Sequence, residues 1–315
     1  MSKNTFCTII TADYFSYASV LYESLKSNCD DKVVLYVFIS SPREDVNNIA
    51  KNSEGIKYLF VDDLCISGIG KKIKDKYLLV YIDGFRWSMK PVLINYLIQH
   101  RGYEKVIYVD WDIFFFSKYK FLFDMLDNAN VLLTPHWRSS DPYVDPSNFQ
   151  ELYNRGLYNA GFVAANRDAV LVMDWWAKAC EYVCVKEPSK GYFVDQTHLN
   201  LFHIMFEGIK VVRHRGCNVA KWNQFECKRI KKDNGEVLIN GEYPIVFIHF
   251  TPSTIRGILN GTDKLLFPYL KQYADTIKKY LPGIDIIDKY KTPSPDLPSD
   301  SLIVKIITRL QNWLK

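Results

Sequence analysis

The chain has 315 residues, of which 48% are apolar and 15% are aromatic, and its formal net charge at neutral pH is +5. A chain of this length can bury one large hydrophobic core or two smaller ones. The basic excess lies in residues 251–315, which carry 10 Lys and Arg against 6 Asp and Glu. The main body is therefore close to neutral and lacks the basic footprint of a nucleic-acid-binding protein.

The cysteines and the apolar runs indicate where the protein works. The seven cysteines form no Cys-x-x-Cys pair, and an odd number without a signal peptide is typical of a reducing cytosol. No apolar run approaches the roughly 18–20 residues that a membrane span requires. We therefore expect a soluble cytoplasmic protein, with peripheral contact to the inner membrane face as an open alternative.

Apolar strands alternate with helical patterns in the first part of the chain. The predicted elements are a strand at Phe6–Thr11, a helix at Tyr17–Leu25, a strand at Lys32–Ser40, a helix that begins at Ser41-Pro42, and a strand at Tyr58–Asp62. This alternation predicts crossover connections and a parallel sheet. Ligands bind beyond the carboxyl ends of such strands, where Thr11, Ala12 and Asp13 are expected to lie. No Gly-x-Gly-x-x-Gly and no Walker A sequence is present, which argues against a dinucleotide dehydrogenase or a P-loop NTPase.

Two basic stretches follow the third strand. Gly68–Lys76 is rich in Gly and Lys and is predicted to be a mobile loop. Phe85–Gln99 is predicted to be a helix that carries Arg86 and Lys90 one turn apart on one face. Two interpretations remain open for these cations, which are contact with a substrate phosphate and a solvated charged face.

The apolar stretch Val106–Phe116 carries two carboxylates, Asp110 and Asp112, on either side of Trp111. In extended chain, positions i and i+2 point to the same side, so the two groups would repel each other and lose hydration at the end of a buried strand. A divalent cation that also binds phosphate oxygens removes both penalties. The alternative is a pair of capping aspartates, because Asp-x-Asp is short and common.

The second half of the chain continues the alternation. The predicted elements are strands at Val131–Pro135, Tyr158–Asn166 and Ile245–Phe250, helices at Val170–Cys184, Phe193–Phe206 and Asp263–Tyr280, a loop at Ser139–Asn148 and a hairpin turn at Asn234-Gly235. Asp195 and Gln196 open the second of these helices, and Gly161 allows close approach of the backbone. His249 becomes a ligand candidate only if the fold brings it to the two aspartates.

The C-terminal segment differs from the body. Thr292–Ser299 is a Pro/Ser-rich linker, and Leu302–Lys315 has an apolar stripe at helical spacing beside basic residues. This pattern is typical of a helix that lies on an anionic membrane surface, and the alternative is a helix that packs on the body. We expect a catalytic domain at 1–290, with a nucleotide-binding half at about 1–115 and an acceptor half at about 116–290, followed by a linker and helical tail at 291–315.

The order of these features resembles the GT-A glycosyltransferases, in particular glycosyltransferase family 8 and related bacterial surface-polysaccharide transferases. The resemblance is carried by Thr11–Tyr14 (T-A-D-Y), Phe85–Trp87 (F-R-W), Glu104–Asp112 (E-K-V-I-Y-V-D-W-D), Tyr158–Phe162 (Y-N-A-G-F), Asp195–Asn200 (D-Q-T-H-L-N) and Ile248–Phe250 (I-H-F). The chain departs from family 8 after His249, where it reads F-T-P-S-T-I-R-G and lacks the usual G-x-K-P-W. The run Asn218–Asn223 (N-V-A-K-W-N) is not a family 8 hallmark either.

The resemblance implies a Rossmann-like, mixed but mostly parallel sheet flanked by helices, with a C-terminal amphipathic helix. It implies a metal-dependent hexosyltransferase that takes a sugar from a nucleoside diphosphate, with a UDP-sugar as the expected donor, to a glycan or lipid-linked acceptor. The implied metal ligands for Mn²⁺ (or Mg²⁺) are Asp110, Asp112 and His249. The implied substrate-binding residues are Thr11, Ala12, Asp13 and Tyr14 for the nucleoside, Arg86, Lys90, Trp111 and Arg256 for the nucleotide and diphosphate side, and Asn159, Gly161, Asp195 and Gln196 for the sugar.

Two stereochemical outcomes and two rival functions stay open. In a retaining enzyme the amide of Gln196 supports the oxocarbenium ion, and in an inverting enzyme Asp195 acts as the base; we favour retention. A sugar-nucleotide pyrophosphorylase should carry a Gly- and Lys/Arg-rich loop after its first strand, and T-A-D-Y-F-S-Y lacks one. A non-catalytic nucleotide-sugar-binding protein is disfavoured because all three metal-type side chains are present.

Overall fold

The protein is represented by a computed structural model that describes residues 4–41 and 55–291. The predicted helix that begins at Ser41-Pro42, the linker Thr292–Ser299 and the amphipathic segment Leu302–Lys315 lie outside the described residues. The division of the body into a nucleotide-binding half and an acceptor half stays a prediction.

The helices and strands follow one another along the chain in the alternation that the sequence predicts. The first half comprises β1 (Asn4–Ile10), α1 (Tyr17–Ser27), β2 (Val33–Ile39), β3 (Ile56–Phe60), α2 (Val61–Leu64), α3 (Gly68–Tyr77), α4 (Ile82–Gln99), β4 (Lys105–Val109), β5 (Ile113–Phe115), α5 (Lys120–Met125), β6 (Val131–Pro135) and α6 (Pro146–Arg155). The second half comprises β7 (Tyr158–Asn166), α7 (Val170–Tyr182), β8 (Lys186–Glu187), β9 (Tyr192–Phe193), α8 (Phe202–Met205), β10 (Ile209–Val211), β11 (Arg229–Lys231), β12 (Val237–Ile239), β13 (Tyr243–Pro244), β14 (Phe247–His249), α9 (Pro252–Leu259), α10 (Phe267–Tyr280) and α11 (Ile286–Lys291).

A seven-stranded sheet forms the centre, in the order β10-β6-β7-β4-β1-β2-β3. All neighbouring pairs are parallel except the two that involve β7, which runs antiparallel to both β4 and β6. All seven residues of β1 and of β2 are buried, as expected for continuous apolar runs in a sheet covered on both faces. The predicted α/β architecture with a mostly parallel sheet is confirmed.

Helices cover both faces of this sheet. On one face, α3, α4 and α7 contribute buried side chains such as Met89, Leu93 and Trp176. On the other face, α1 and α5 contribute Leu21 and Leu122. A third cluster joins α9 and α10 to β14, with the rings of Phe250 and Tyr273 stacked 4.4 Å apart. These layers fix the carboxyl ends of β1 and β4 beside β14.

The prediction of a mobile loop at Gly68–Lys76 is wrong, because these residues form most of α3. Ile73 and Tyr77, one turn apart, are buried in the core cluster that includes α4. Gly70 allows α3 to pack closely against the end of α2, because a β-carbon there would lie 2.2 Å from the carbonyl oxygen of Leu64. Burial of the Ile73–Tyr77 stripe therefore outweighs the weak helix propensity of glycine.

The predicted buried strand that ends in the two aspartates is β4, which ends at Val109 and is followed by a turn. Asp110, Trp111 and Asp112 lie between β4 and β5, and the amide of Ile113 donates to the carbonyl of Asp110 at 3.1 Å. The two carboxylates thus share a side because of a turn and not because of strand alternation. Beyond the turn, β5 leaves the central sheet and pairs antiparallel with β14, with Ile113 opposite His249.

Candidate functional site

The turn after β4 and the end of β14 bring three metal-ligand side chains together. One ligand atom from each of Asp110, Asp112 and His249 lies within 4.8 Å of the others. The Nε2 atom of His249 is 3.0 Å from Oδ1 of Asp112 and 3.9 Å from Oδ2 of Asp110. The register of β5 against β14 creates this proximity, and the amide of Phe250 fastens it by donating to the carbonyl of Asp112 at 2.8 Å.

The chemistry of this set fits a divalent cation. Burial alone would lower the pKa of His249, but Asp112 and Asp110 hold that pKa above its usual value. The group of one imidazole and two carboxylates therefore attracts positive charge, and a metal ion can take the place of a proton. Carboxylate oxygens and imidazole nitrogen together suit Mn²⁺ or Mg²⁺, and they also accept other divalent ions.

Gly161 on β7 leaves room for this set. A β-carbon at this position would lie 2.6 Å from Cε1 of His249 and 2.8 Å from Oδ2 of Asp110. Real β-carbons do not approach neighbours so closely, so any larger residue would displace a ligand side chain. The prediction that Gly161 serves close approach at the site is consistent with this geometry.

Lys90 lies behind the cluster and is almost completely buried. Its Nζ atom is 3.3 Å from Oδ1 of Asp110 and 3.1 Å from Oδ2 of Asp195, and it donates to the carbonyl of Ala160 at 3.0 Å. The interpretation of Lys90 as part of a solvated charged face is wrong, because the face of α4 that carries it packs on the sheet. The sequence offered no signal for this, since Lys90 and Asp195 are far apart in the chain.

Lys90 forms ion pairs with Asp110 and with Asp195, but these two carboxylates lie in different environments. Burial would raise the pKa of Asp110, but Lys90 and His249 hold it below its usual value, and the hydroxyl of Tyr108 donates to Asp110 at 2.7 Å. For Asp195, which is 1% exposed, burial raises the pKa to about 6 despite the attraction of Lys90. Asp110 is therefore kept ionised and ready to bind a cation, whereas Asp195 is enclosed.

Gln196 is held by three hydrogen bonds. Its Oε1 atom accepts from Nδ2 of Asn159 and from the amide of Ala160, both at 3.1 Å. Its Nε2 atom donates to the carbonyl of Arg155 at 2.7 Å. The side chain therefore connects β7 to the end of α6 and fixes Asn159 at the site.

A cavity of roughly 370 Å³ opens over these residues. Its lining includes ten predicted site residues, which are Arg86, Lys90, Asp110, Trp111, Asp112, Asn159, Gly161, Asp195, Gln196 and His249. Sequence reasoning did not assign roles to other lining residues, among them Trp87, Tyr108, Lys186 and Phe193. Trp87 and Tyr108 had a signal, as members of F-R-W and of E-K-V-I-Y-V-D-W-D, whereas Lys186 had none, since it reaches the cavity through the short β8–β9 hairpin.

Five predicted residues do not line this cavity. Thr11, Ala12, Asp13 and Tyr14 follow β1, and Tyr14 is connected to the cavity through Trp111, whose ring centroid lies 4.2 Å from its own. Arg256 is exposed on α9, with its guanidinium 5.3 Å from the ring centroid of Tyr290. Arg86 does line the cavity, and it forms an ion pair with Asp83 at 2.6 Å.

None of the helices in 4–41 and 55–291 is long and apolar enough to cross a membrane.

Comparison with known proteins gives a fold and two sequence relatives. No protein-family model matches the chain. It is 23% identical to YfnF of Bacillus subtilis (strain 168) over 300 residues, which cover 90% of this chain and 95% of YfnF. It is 25% identical to YfnD of the same organism over 318 residues, which cover 97% of this chain and 96% of YfnD. The structure of the galactosyltransferase LgtC in complex with donor and acceptor sugar analogues superposes with a TM-score of 0.54 at 14% identity, covering 87% of this chain and 95% of LgtC. The chain therefore has the GT-A fold, as predicted, while membership of family 8 stays a prediction.

Proposed function

We propose that the protein is a metal-dependent glycosyltransferase that moves a sugar from a nucleoside diphosphate, with a UDP-sugar as the expected donor, to a glycan or lipid-linked acceptor. The observation that carries this proposal is the Asp110–Asp112–His249 cluster beside the cavity of a GT-A fold. The cavity volume lies in the range that small-molecule sites occupy. LgtC, a galactosyltransferase of the same fold, supports sugar transfer as the reaction class.

The reaction needs charge stabilisation at the leaving group. When bound, Mn²⁺ (or Mg²⁺) supplies a Lewis acid for the diphosphate that leaves, so no proton donor is required there. Asp110, Asp112 and His249 would hold it, and the hydroxyl of Tyr108 orients the first of these carboxylates. Lys90 keeps Asp110 ionised and balances the charge of Asp195.

The surroundings of Asp195 and Gln196 favour retention of anomeric configuration. Asp195 is enclosed and paired with Lys90, so it is poorly placed to take a proton from an acceptor hydroxyl. Gln196 fixes Asn159 and the backbone of β7 beside the cavity, where the two amides line the transferred sugar. We propose that Gln196 supports the oxocarbenium-like transition state mainly by this positioning.

The nucleoside is proposed to lie between the end of β1 and Trp111. Tyr14 and Trp111 offer the surface of two adjoining aromatic rings for a base, and Thr11, Ala12 and Asp13 offer backbone and side-chain polar groups. Arg86 and Arg256 are the proposed cations on the diphosphate side. Arg86 is the better placed of the two, since it lines the cavity.

A metal and nucleotide titration tests the proposal. We expect UDP binding to depend on Mn²⁺ in isothermal titration calorimetry, and Asp112→Asn to weaken that binding by at least about tenfold, the scale for a disturbed metal site. Asp124→Asn is the matched control, because Asp124 forms an exposed pair with Lys120 on α5. A panel of nucleotide sugars with Mn²⁺, scored for hydrolysis, identifies the donor. Full turnover in the presence of a chelator would contradict metal dependence.

Peripheral membrane contact is a separate proposal that rests on the sequence of Leu302–Lys315. Each basic residue near an anionic surface contributes about 1 kcal/mol, and salt screens the effect. Truncation after Pro298 should leave donor hydrolysis unchanged and lower binding to anionic liposomes in a co-sedimentation assay at low salt. Loss of thermal stability with unchanged liposome binding would instead show that the helix packs on the body. The protein would then be cytoplasmic without peripheral membrane contact.

A further inference from the structure

His249 lacks the hydrogen bond that usually fixes a metal-binding imidazole. Its Nε2 atom lies 3.0 Å from Oδ1 of Asp112, whereas its Nδ1 atom is buried and has no hydrogen-bond partner among the protein groups of residues 4–41 and 55–291. In metal sites the second ring nitrogen normally donates to a carboxylate, a carbonyl or water, which sets the orientation and the tautomer of the ring. Among protein groups, the orientation of this imidazole therefore depends on packing.

The indole of Trp222 packs against this imidazole. The ring centroids of Trp222 and His249 lie 5.4 Å apart, and the two ring planes are inclined by 83°. Aromatic rings at such distances prefer a perpendicular arrangement to a face-to-face stack. Because rotation of the imidazole would break this arrangement, the contact favours one orientation of the ring.

The same indole contacts a second imidazole on the sugar side of the site. The ring centroids of Trp222 and His136 lie 5.7 Å apart at an interplanar angle of 81°. The Nδ1 atom of His136 is 2.8 Å from the carbonyl oxygen of Gly156, and its Nε2 atom is 3.4 Å from Nδ2 of Asn159, which lines the cavity. Trp222 therefore contacts both a metal-ligand candidate and a residue that is bonded to the sugar side.

The segment Asn218–Asn223, which carries the indole, is attached to the strand that carries His249. The amide of His249 donates to the carbonyl of Val219 at 2.9 Å, and the amide of Val219 donates to the carbonyl of Phe247 at 3.1 Å. The segment and β14 therefore hold each other by backbone hydrogen bonds directly beside the metal-ligand cluster.

Further hydrogen bonds fix the backbone on both sides of Trp222. The side chain of Asn223 accepts from the amide of Ala220 at 3.1 Å and donates to the carbonyl of Asn218 at 2.8 Å. The carbonyl of Trp222 accepts from Nδ2 of Asn148 at 3.0 Å. The indole is thus presented to His249 by a segment that is tied together by its own asparagines.

The indole acts through its ring and not through its N–H group. The Nε1 atom of Trp222 is buried and has no hydrogen-bond acceptor within the part of the chain that the structure describes. Substitution of Trp222 by phenylalanine therefore keeps an aromatic ring and removes no side-chain hydrogen bond, whereas substitution by leucine keeps only apolar bulk. These two changes separate an orienting role of the ring from simple space filling.

We propose that Trp222 is a positioning residue, whose indole holds the imidazole of His249 with Nε2 directed at the two aspartates of the metal-ligand cluster. The inference rests on the proposed metal-dependent function. It assigns a role to the run Asn218–Asn223, which the resemblance to family 8 leaves unexplained. Since metal ligands bind well only when their side chains are held in place, loss of an orienting contact lowers metal affinity by about 10–100-fold.

Titration of the full chain with Mn²⁺ in the presence of UDP tests the proposal, with free Mn²⁺ measured by its EPR signal. Trp222→Leu should weaken Mn²⁺ binding by about tenfold. Trp222→Phe should stay within about threefold of the wild-type affinity, because it keeps a ring against His249. Trp222→Met, a more flexible non-aromatic side chain, is titrated in parallel and should behave like Trp222→Leu, so the comparison does not depend on the folding of one variant.

Trp175 provides the matched control. It is partly buried on α7, and its ring is perpendicular to the rings of Phe202 and Phe206, but it does not line the cavity. Trp175→Leu and Trp175→Phe should leave Mn²⁺ affinity unchanged. Thermal unfolding of every variant without metal measures the stability separately.

A merely structural role of Trp222 predicts a different result. If folded Trp222→Leu and Trp222→Met lose thermal stability but bind Mn²⁺ as the wild-type protein does, the proposal is overturned. It is also overturned if Trp222→Phe loses as much Mn²⁺ affinity as Trp222→Leu, because the ring would then have no orienting role. Wild-type protein that does not bind Mn²⁺ in the presence of UDP contradicts the proposed function itself, independently of the Trp222 variants.

Discussion

Gly161 and His249 lie so close together that a β-carbon on Gly161 would be 2.6 Å from Cε1 of the imidazole. The same β-carbon would be 2.7 Å from Oδ1 of Asn159. At Gly161 the bare backbone of β7 therefore contacts the imidazole of His249 and the side-chain amide of Asn159 on the same strand. The absence of a side chain at Gly161 is what allows His249 and Asn159 to lie close together.

Gly161→Ala should consequently impair both the metal site and the stability of the fold. Overpacking of this kind costs about 1–3 kcal/mol of stability, and we expect affinity for Mn²⁺ with UDP to fall by at least about tenfold as His249 and Asp110 shift. Calorimetric titration and thermal unfolding measure the two effects. Gly283→Ala is the control, because a β-carbon there meets nothing within 4 Å. Unchanged metal affinity in Gly161→Ala would show that the ligand side chains can move aside.

Lys90→Met should destabilise the protein by about 3–5 kcal/mol in urea unfolding, since it leaves the buried Asp195 and the partly exposed Asp110 without a counter-charge. Adding Asp195→Asn should restore part of that loss. Lys71→Met is the comparison, because the exposed pair of Lys71 with Asp75 is worth about 0–1 kcal/mol. A loss below about 1 kcal/mol for Lys90→Met would argue against a buried ion pair.

Gln196→Ala should lower turnover and leave affinity for the nucleotide with Mn²⁺ nearly intact. Removal of the three hydrogen bonds also leaves the amide of Ala160 without an acceptor, which costs about 1–3 kcal/mol of stability. Gln99→Ala at the exposed end of α4 serves as the control. Proton NMR of the new anomeric centre decides the stereochemistry, and an inverted product would transfer the catalytic role to Asp195.

His136 should make the folded state sensitive to mild acid. Burial, together with Arg138, lowers the pKa of His136 to about 3. Because the unfolded chain takes up this proton near pH 6.5 and the folded chain does not, stability is lost as the pH falls from about 6.5 towards 3. The free energy of unfolding should drop by about 2 kcal/mol more between pH 7.5 and 5.0 in the wild-type protein than in His136→Gln.

Urea unfolding at the two pH values checks this expectation. His100→Gln, at the exposed end of α4, should keep the pH dependence of the wild-type protein. The same drop in wild type and in His136→Gln would show that His136 accepts a proton without unfolding the chain.

The sequence predicted the layers of the fold because apolar runs report burial directly. The runs at β1 and β2 have no polar face, so only a sheet covered on both sides can hold them. The short Asp-Trp-Asp motif named two of the three residues in the metal-ligand cluster, and I-H-F named the third. The catalytic roles predicted for these three residues stay predictions until the titrations are done.

Local pattern misjudged segments whose state depends on distant partners. Gly68–Tyr77 is a helix because Ile73 and Tyr77 are buried, although its glycines and lysines favour a loop. Lys90 is buried because Asp110 and Asp195 surround its charge, which no spacing in the chain records.

The sequence by itself determined the α/β class and supplied the candidate ligands, since both follow from residue type and local period. Only the tertiary structure decided that the ligands meet, through the pairing of β5 with β14 and the close approach of Gly161. It also decided that Arg256 lies outside the cavity. The physical reason is that electrostatic and packing interactions act between residues that are neighbours in space, and those neighbours are fixed only when the chain has folded.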